Sequence, residues 1–267
     1  MKLTRREFIG LVGALGLSSC ASTHIPLIGG GDKGPFKVAA MNDLHVVDAR
    51  SMTLINKAVA RIGETKDVRL AVVIGDLSTS AKLSEFNMAK ESLKGLKIPY
   101  LVVPGNHDVE PRAAHPFGTF EKVFGPAHWV HEEDGWTFIG LNSCEGASSD
   151  VTIGADELDW LRKQVKHISN GRPIGLFLHH PLNPNTKSYR VKNAEEVLGV
   201  FSGKKLKLAA AGHYHGNQVE ERDGVLFTTT ACCSSSRDNF DQSSAKGYRL
   251  FTFDGDTVTN EFVEVGG

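Results

Sequence analysis

The stretch LVVPGNHD, residues 101–108, opens as a short apolar strand and stops at Pro104-Gly105. It then delivers an amide, an imidazole and a carboxylate together into a loop, from Asn106, His107 and Asp108. A strand end followed by Gly is where an α/β sheet presents groups to a ligand. Asn, Asp and Gly also fill ordinary turns for backbone reasons, so the stretch alone decides nothing. Repetition decides it. Asp43 and His45 follow the apolar run 36–41, and Asp76 follows 70–74 and Gly75. His179 and His180 follow 173–178, and His213 and His215 follow 206–211 and Gly212.

Between these runs the apolar period lengthens from strand to helix. Leu54, Ile55, Ala58, Val59 and Ile62 form an i, i+4, i+8 stripe that predicts a helix over 51–62. Phe86, Ala89, Leu93 and Leu96 do the same over 83–96, and Leu158, Leu161, Val165 and Ile168 over 155–168. A helix is also expected over 191–201, and a short one over 117–124 inside an irregular excursion spanning 109–130. Another strand is expected over 136–142. Continuous apolar strands such as 70–74 suit a buried, largely parallel sheet. The last quarter changes character: 217–222, 225–231, 248–254 and 257–265 read as strands joined by turns such as Asp223-Gly224, a β meander. The pattern predicts an α/β fold with a β-rich C-terminal part, one domain over 36–267.

Composition narrows the class. With 267 residues, 40% hydrophobic and 23% charged, the chain has the balance of a globular protein with a sizeable core. A formal net charge of −1 offers no basic excess for a nucleic-acid-binding surface. Residues 4–9, TRREFI, resemble the twin-arginine export signal, and the apolar run after them is too short to span a bilayer. Residues 17–20, LSSC, resemble a bacterial lipobox with Cys20 as the lipidated residue; a plain signal peptide with a fortuitous Cys is the alternative. Residues 1–20 are thus expected to be a signal, and 21–35, rich in Gly and Pro, a tether. The expected location is outside the bacterial cytoplasm, in the periplasm or anchored at a membrane through Cys20. Cys144, Cys232 and Cys233 show no C-x-x-C pair or framework spacing, which predicts buried or free thiols.

The strand ends carry Asp43, His45, Asp76, Asn106, His179, His213 and His215, all oxygen or nitrogen donors. Such mixed sets suit transition metals, whereas Ca and Mg favour all-oxygen sites. Seven ligand-type residues exceed one tetrahedral ion and match two ions sharing a carboxylate. The ordered motifs D-x-H, G-D, G-N-H-D, H and G-H-x-H, over 37–215, resemble the signature of the calcineurin-like metallophosphoesterases. Their spacing is similar to the branch that contains the class III cyclic-nucleotide phosphodiesterases. The resemblance implies a four-layer α/β/β/α sandwich and two divalent or trivalent ions, Fe, Mn or Zn. It implies Asp43, His45, Asp76 and His215 around the first ion, and Asp76, Asn106, His179 and His213 around the second. A metal-held hydroxide would attack the phosphorus of a small mono- or diester, with His107 beside the leaving oxygen and Asp108 orienting neighbouring histidines. Thr79 stands where purple acid phosphatases have an iron-binding Tyr, so the likeness does not extend to that iron site. His180 is a candidate for substrate contact, or a loop His without a metal role. Arg237 is a candidate for holding a phosphate oxygen, or part of a Ser-rich connector. The alternatives are an envelope lipoprotein that binds metal without catalysis, and an envelope pyrophosphatase or phospholipid phosphoesterase.

Overall fold

The computed structural model describes residues 34–266; Arg5, Arg6, Cys20 and the expected tether up to residue 33 lie outside the described residues. Two mixed sheets stack face to face, with helices over both outer faces. The first sheet has β1 (Phe36–Asn42), β2 (Val68–Ile74) and β3 (Tyr100–Val103) in parallel, and β10 (Lys246–Asp254) and β11 (Thr257–Gly266) added antiparallel beside β1. The second runs β4 (Trp129–Glu133), β5 (Trp136–Leu141), β6 (Pro173–Leu178), β7 (Lys205–Ala211), β9 (Val225–Thr229) and β8 (Gln218–Arg222). Strands β5, β6, β7 and β9 are mutually parallel; β4 and β8 close the edges antiparallel.

Three apolar clusters correspond to the three interfaces between four layers. Helices α1 (Met52–Glu64), α2 (Leu83–Leu93) and α3 (Gly118–Phe124) pack Ile55, Val59, Phe86 and Phe120 on Met41, Val73 and Leu250 of the first sheet. Helices α4 (Ala155–His167) and α5 (Ala194–Gly199) pack Leu161, Val165 and Val197 on Ile139, Leu176 and Ala209 of the second. Between the sheets lie Phe36, Val72, Phe138, Phe177, Leu208, Phe251 and Phe253. This is the four-layer sandwich expected of the family. Strands buried on both faces carry continuous apolar runs, as β2 and β6 do.

Three expectations need correction. The excursion after residue 109 ends in β4, which pairs with β5 through Asp134-Gly135, both at positive φ (43° and 86°). That two-residue turn is the Asp-Gly signature of a tight hairpin. The last quarter is not one meander: β8–β9 joins the second sheet and β10–β11 the first. Apolar alternation reveals strands but not which of two sheets receives them. The helix expected over 191–201 shrinks to α5, because Val191 forms a bridge with Val151 and Asn193 bonds both backbone groups of Ile153.

Candidate metal centre

The C-terminal ends of β1, β2 and β3 meet those of β6 and β7, and the loops there carry every histidine and carboxylate anticipated for the centre. Asp43, His45, Asp76 and His215 place one donor atom each within 4.8 Å of one another, and so do His179, His180 and His213. Asp76 joins the two groups: its Oδ2 stands 3.4 Å from His45 Nε2 and 3.4 Å from His179 Nε2. Asn106 Oδ1 lies 3.2 Å from His179 Nε2. His215 Nε2 lies 3.1 Å from Asp43 Oδ1 and 3.3 Å from His45 Nε2.

Backbone carbonyls fix the imidazoles. His179 Nδ1–H donates to Ile74 O, His215 Nδ1–H to Asp238 O, and His213 Nε2–H to Ser149 O. Because a carbonyl only accepts, each bond sets the tautomer and turns the other nitrogen to the centre. Asp108 has different work from the one expected. Among the described residues its carboxylate makes no hydrogen bond or ion pair with a histidine; it accepts from the amides of Leu77, Ser78 and Gly105 and from Ser78 Oγ, tying two loops together. His180 is fully buried, with Nδ1 on Ser143 Oγ and Nε2 on Ser148 O, which leaves neither nitrogen for a substrate. Arg237 is half-buried and its guanidinium has no hydrogen bond or ion pair among the described residues.

The glycines before these loops are there for room. A Cβ on Gly75 would fall 2.4 Å from His179 Nδ1, on Gly105 2.1 Å from Asp76 Oδ1, and on Gly212 2.6 Å from Asp43 Oδ2. Gly105 is extended (φ −109°), so it does not serve as the turn residue expected after the strand. Asp43, His45, Asp76, His213 and His215 instead hold positive φ between 44° and 62°. Each such residue costs about 1–2 kcal/mol, a strain that clusters at functional sites.

The charges of the centre are set by its own pairings. Burial opposes ionisation of Asp76, yet His179 and then His45 hold its carboxyl well below the usual range. Burial likewise opposes Asp43, and His215 followed by His179 depresses it. Burial alone would lower His179 and His215; Asp76 raises the first to about 9 and Asp43 the second to about 11. Burial keeps His45 down at about 3 and His213 at about 4. His179 and His215 thus set positive charge against the two carboxylates. His45 Nδ1, buried and without a hydrogen-bond partner among the described residues, is a further nitrogen lone pair or donor left unmatched. The donor set and its convergence fit transition-metal cations.

Beside the centre, His107 donates its amide to Asp76 Oδ1 (2.8 Å) and places its ring 4.9 Å from that of His45. Its Nδ1–H donates to Thr79 O at 2.9 Å. That strand of loop is itself held by buried Glu85, whose Oε2 accepts from the amides of Thr79 and Ser80. Sequence reading missed Glu85 and the carbonyl anchors; a carboxylate on a helix carries no local sign of the loop it will meet.

The chain is 28% identical over 216 residues to a probable cyclic nucleotide phosphodiesterase of Fibrobacter succinogenes, covering 74% of this chain and 80% of that protein. It is 29% identical over 170 residues to a probable glycerophosphodiester phosphodiesterase of Arcobacter nitrofigilis, covering 61% and 62% of the two. Its fold matches a purple acid phosphatase from yellow lupin (Lupinus luteus) with a TM-score of 0.70 and 13% identity, over 89% of this chain and 52% of that longer one. The family model of the calcineurin-like phosphoesterases matches residues 36–217, from the first strand past the last of the clustered histidines, and the chain belongs to that family.

Proposed function

We propose that this phosphoesterase hydrolyses small phosphate diesters with two transition-metal ions. One observation carries the reading: a single Asp76 oxygen lies equally close to an imidazole of each donor group. Asp43, His45, Asp76 and His215 would hold one ion, and Asp76, Asn106, His179 and His213 the other. When bound, the ions supply a water deprotonated at neutral pH and positive charge against the phosphoryl oxygens. The rest falls to the chain. Thr79 O accepts the Nδ1 proton of His107, which orients the ring. A proton on its Nε2 would then pass to the leaving alkoxide. Asp108 holds the loops of Asp76 and His107 in register through their amides. The preference for diesters rests on the relatives, among them the cyclic-nucleotide and glycerophosphodiester enzymes.

Metal content and hydrolysis of aryl phosphate mono- and diesters, measured for the protein and for Asp76→Ala, test this. Two ions per chain and turnover lost in the variant are expected. No metal and no turnover under Mn, Zn or Fe loading would sink the proposal. We also propose export by the twin-arginine route with lipidation at Cys20, on the strength of TRREFI and LSSC alone. Arg5→Lys with Arg6→Lys should then leave the protein in the cytoplasm.

A further inference from the structure

Phe240 is the one aromatic among the described large apolar side chains that stand exposed, with 47% of its surface open. It does not stand on a remote face. Its ring lies parallel to His215 (centroids 5.1 Å apart, 5° between planes) and stacks on Tyr189 at 4.9 Å and 26°. Tyr189 in turn lies 5.5 Å from His213. The two rings form a step beside the centre, one against a histidine of each donor group.

Both rings are presented rather than merely left out. The Phe240 amide donates to His215 O, the buried Asn239 before it bonds Cys232, Ser243 and Ala245, and Asp241 after it accepts from the Asn217 amide. A loop pinned on both sides of an exposed apolar ring spends its order on showing that ring to solvent. Tyr189 holds φ at +57°, a conformation an aromatic residue adopts at a cost, and the observed outlier points to function. A residue serving only to brace His215 would gain by being covered, since burial of apolar surface is what stabilises packing. Edge-on to Phe240, at 6.3 Å, Tyr214 lines a polar cleft of about 260 Å³ together with Asn183, Thr186, Gln218 and Glu220. That volume admits a group the size of a nucleobase, and Gln218 and Thr186 offer polar partners for a heterocycle edge, while Glu220 already accepts from Asn183 and Asn185.

We propose that Tyr189 and Phe240 form the subsite for a planar aromatic group of the substrate, a nucleobase or aryl moiety esterified to the phosphate. This rests on the phosphoesterase reading above and narrows it: aromatic esters are selected over aliphatic ones by stacking, which tolerates any base because every base has a π face.

The full chain, loaded with Mn, is assayed on a 3′,5′-cyclic nucleotide and on a glycerophosphodiester, alongside Phe240→Leu, Tyr189→Leu and Phe240→Trp. Either leucine variant is expected to lower kcat/KM for the cyclic nucleotide about tenfold, chiefly through KM, with the aliphatic ester changed less than about twofold and metal content unchanged. Phe240→Trp should restore the preference. Saturation-transfer NMR with AMP on the metal-free protein gives a readout free of turnover: transfer should be strongest at the base protons and fall in the leucine variants. Equal losses on both esters, or no loss on either, would overturn the subsite. If the protein hydrolyses neither ester but transfers to the base of AMP, the subsite stands and the phosphoesterase reading falls; with neither signal, both fall.

Discussion

Gly105 has an extended backbone that any residue adopts, yet the position has no space for a methyl group. Gly105→Ala should therefore fold with native circular dichroism while binding metal at least about tenfold more weakly, because Asp76 must move; calorimetric titration with Mn checks it. Here the sequence was legible in one sense only. The pairing of Gly with a following Asp or His marked the loops, but the reason for each glycine is a side chain from a neighbouring strand. The place of His107 beside the centre was legible, as the imidazole between an amide and a carboxylate, whereas Thr79 as its anchor was not, since a carbonyl has no residue type. His107→Gln should keep both ions and lose about 10²–10⁴-fold in kcat, with the loss greatest for esters of poorly acidic alcohols. Equal loss for nitrophenyl and alkyl esters would assign His107 to phosphate binding instead.

At the scale of elements, the strands and the long helices could be read because their apolar periods are 2 or 3.6, or because a doubly buried strand is apolar throughout. What could not be read are the features set by partners distant in sequence. Val191 left its predicted helix for Val151, and Asp108 left its predicted histidines for two loops. The overlooked β4 carries a titrating group. Burial, ahead of the opposing pull of Glu133, lowers the pKa of His131. The folded protein therefore binds fewer protons there than the unfolded chain, whose histidines titrate near about 6.5. The stability this neutral ring contributes is complete above that pH and declines as pH falls below it toward the folded value. His131→Gln should flatten the fall in Tm between about pH 7 and 5 relative to the unsubstituted protein; parallel curves would exclude the effect.

For the whole molecule, order and spacing of five short motifs carried the family resemblance, and the resemblance implied the four layers; each motif ends a parallel strand, and such ends gather on one edge. The division of the late strands between sheets was out of reach for lack of any local mark. Gathering the donors on one edge also couples metal to stability. Chelation should lower Tm, and ligand at about 100 times its Kd should add about 2.7 kcal/mol, read from urea melts at increasing Mn. Insensitivity of the melt to Mn would argue against a preformed centre. Another consequence lies in the first sheet, where Phe36 pairs with Phe253 and Ala40 with Arg249. The edge of β1, first of the described strands, stays open until β10, made far later, arrives to pair with it. The time between emergence of β1 and arrival of β10 is when this protein most needs a chaperone.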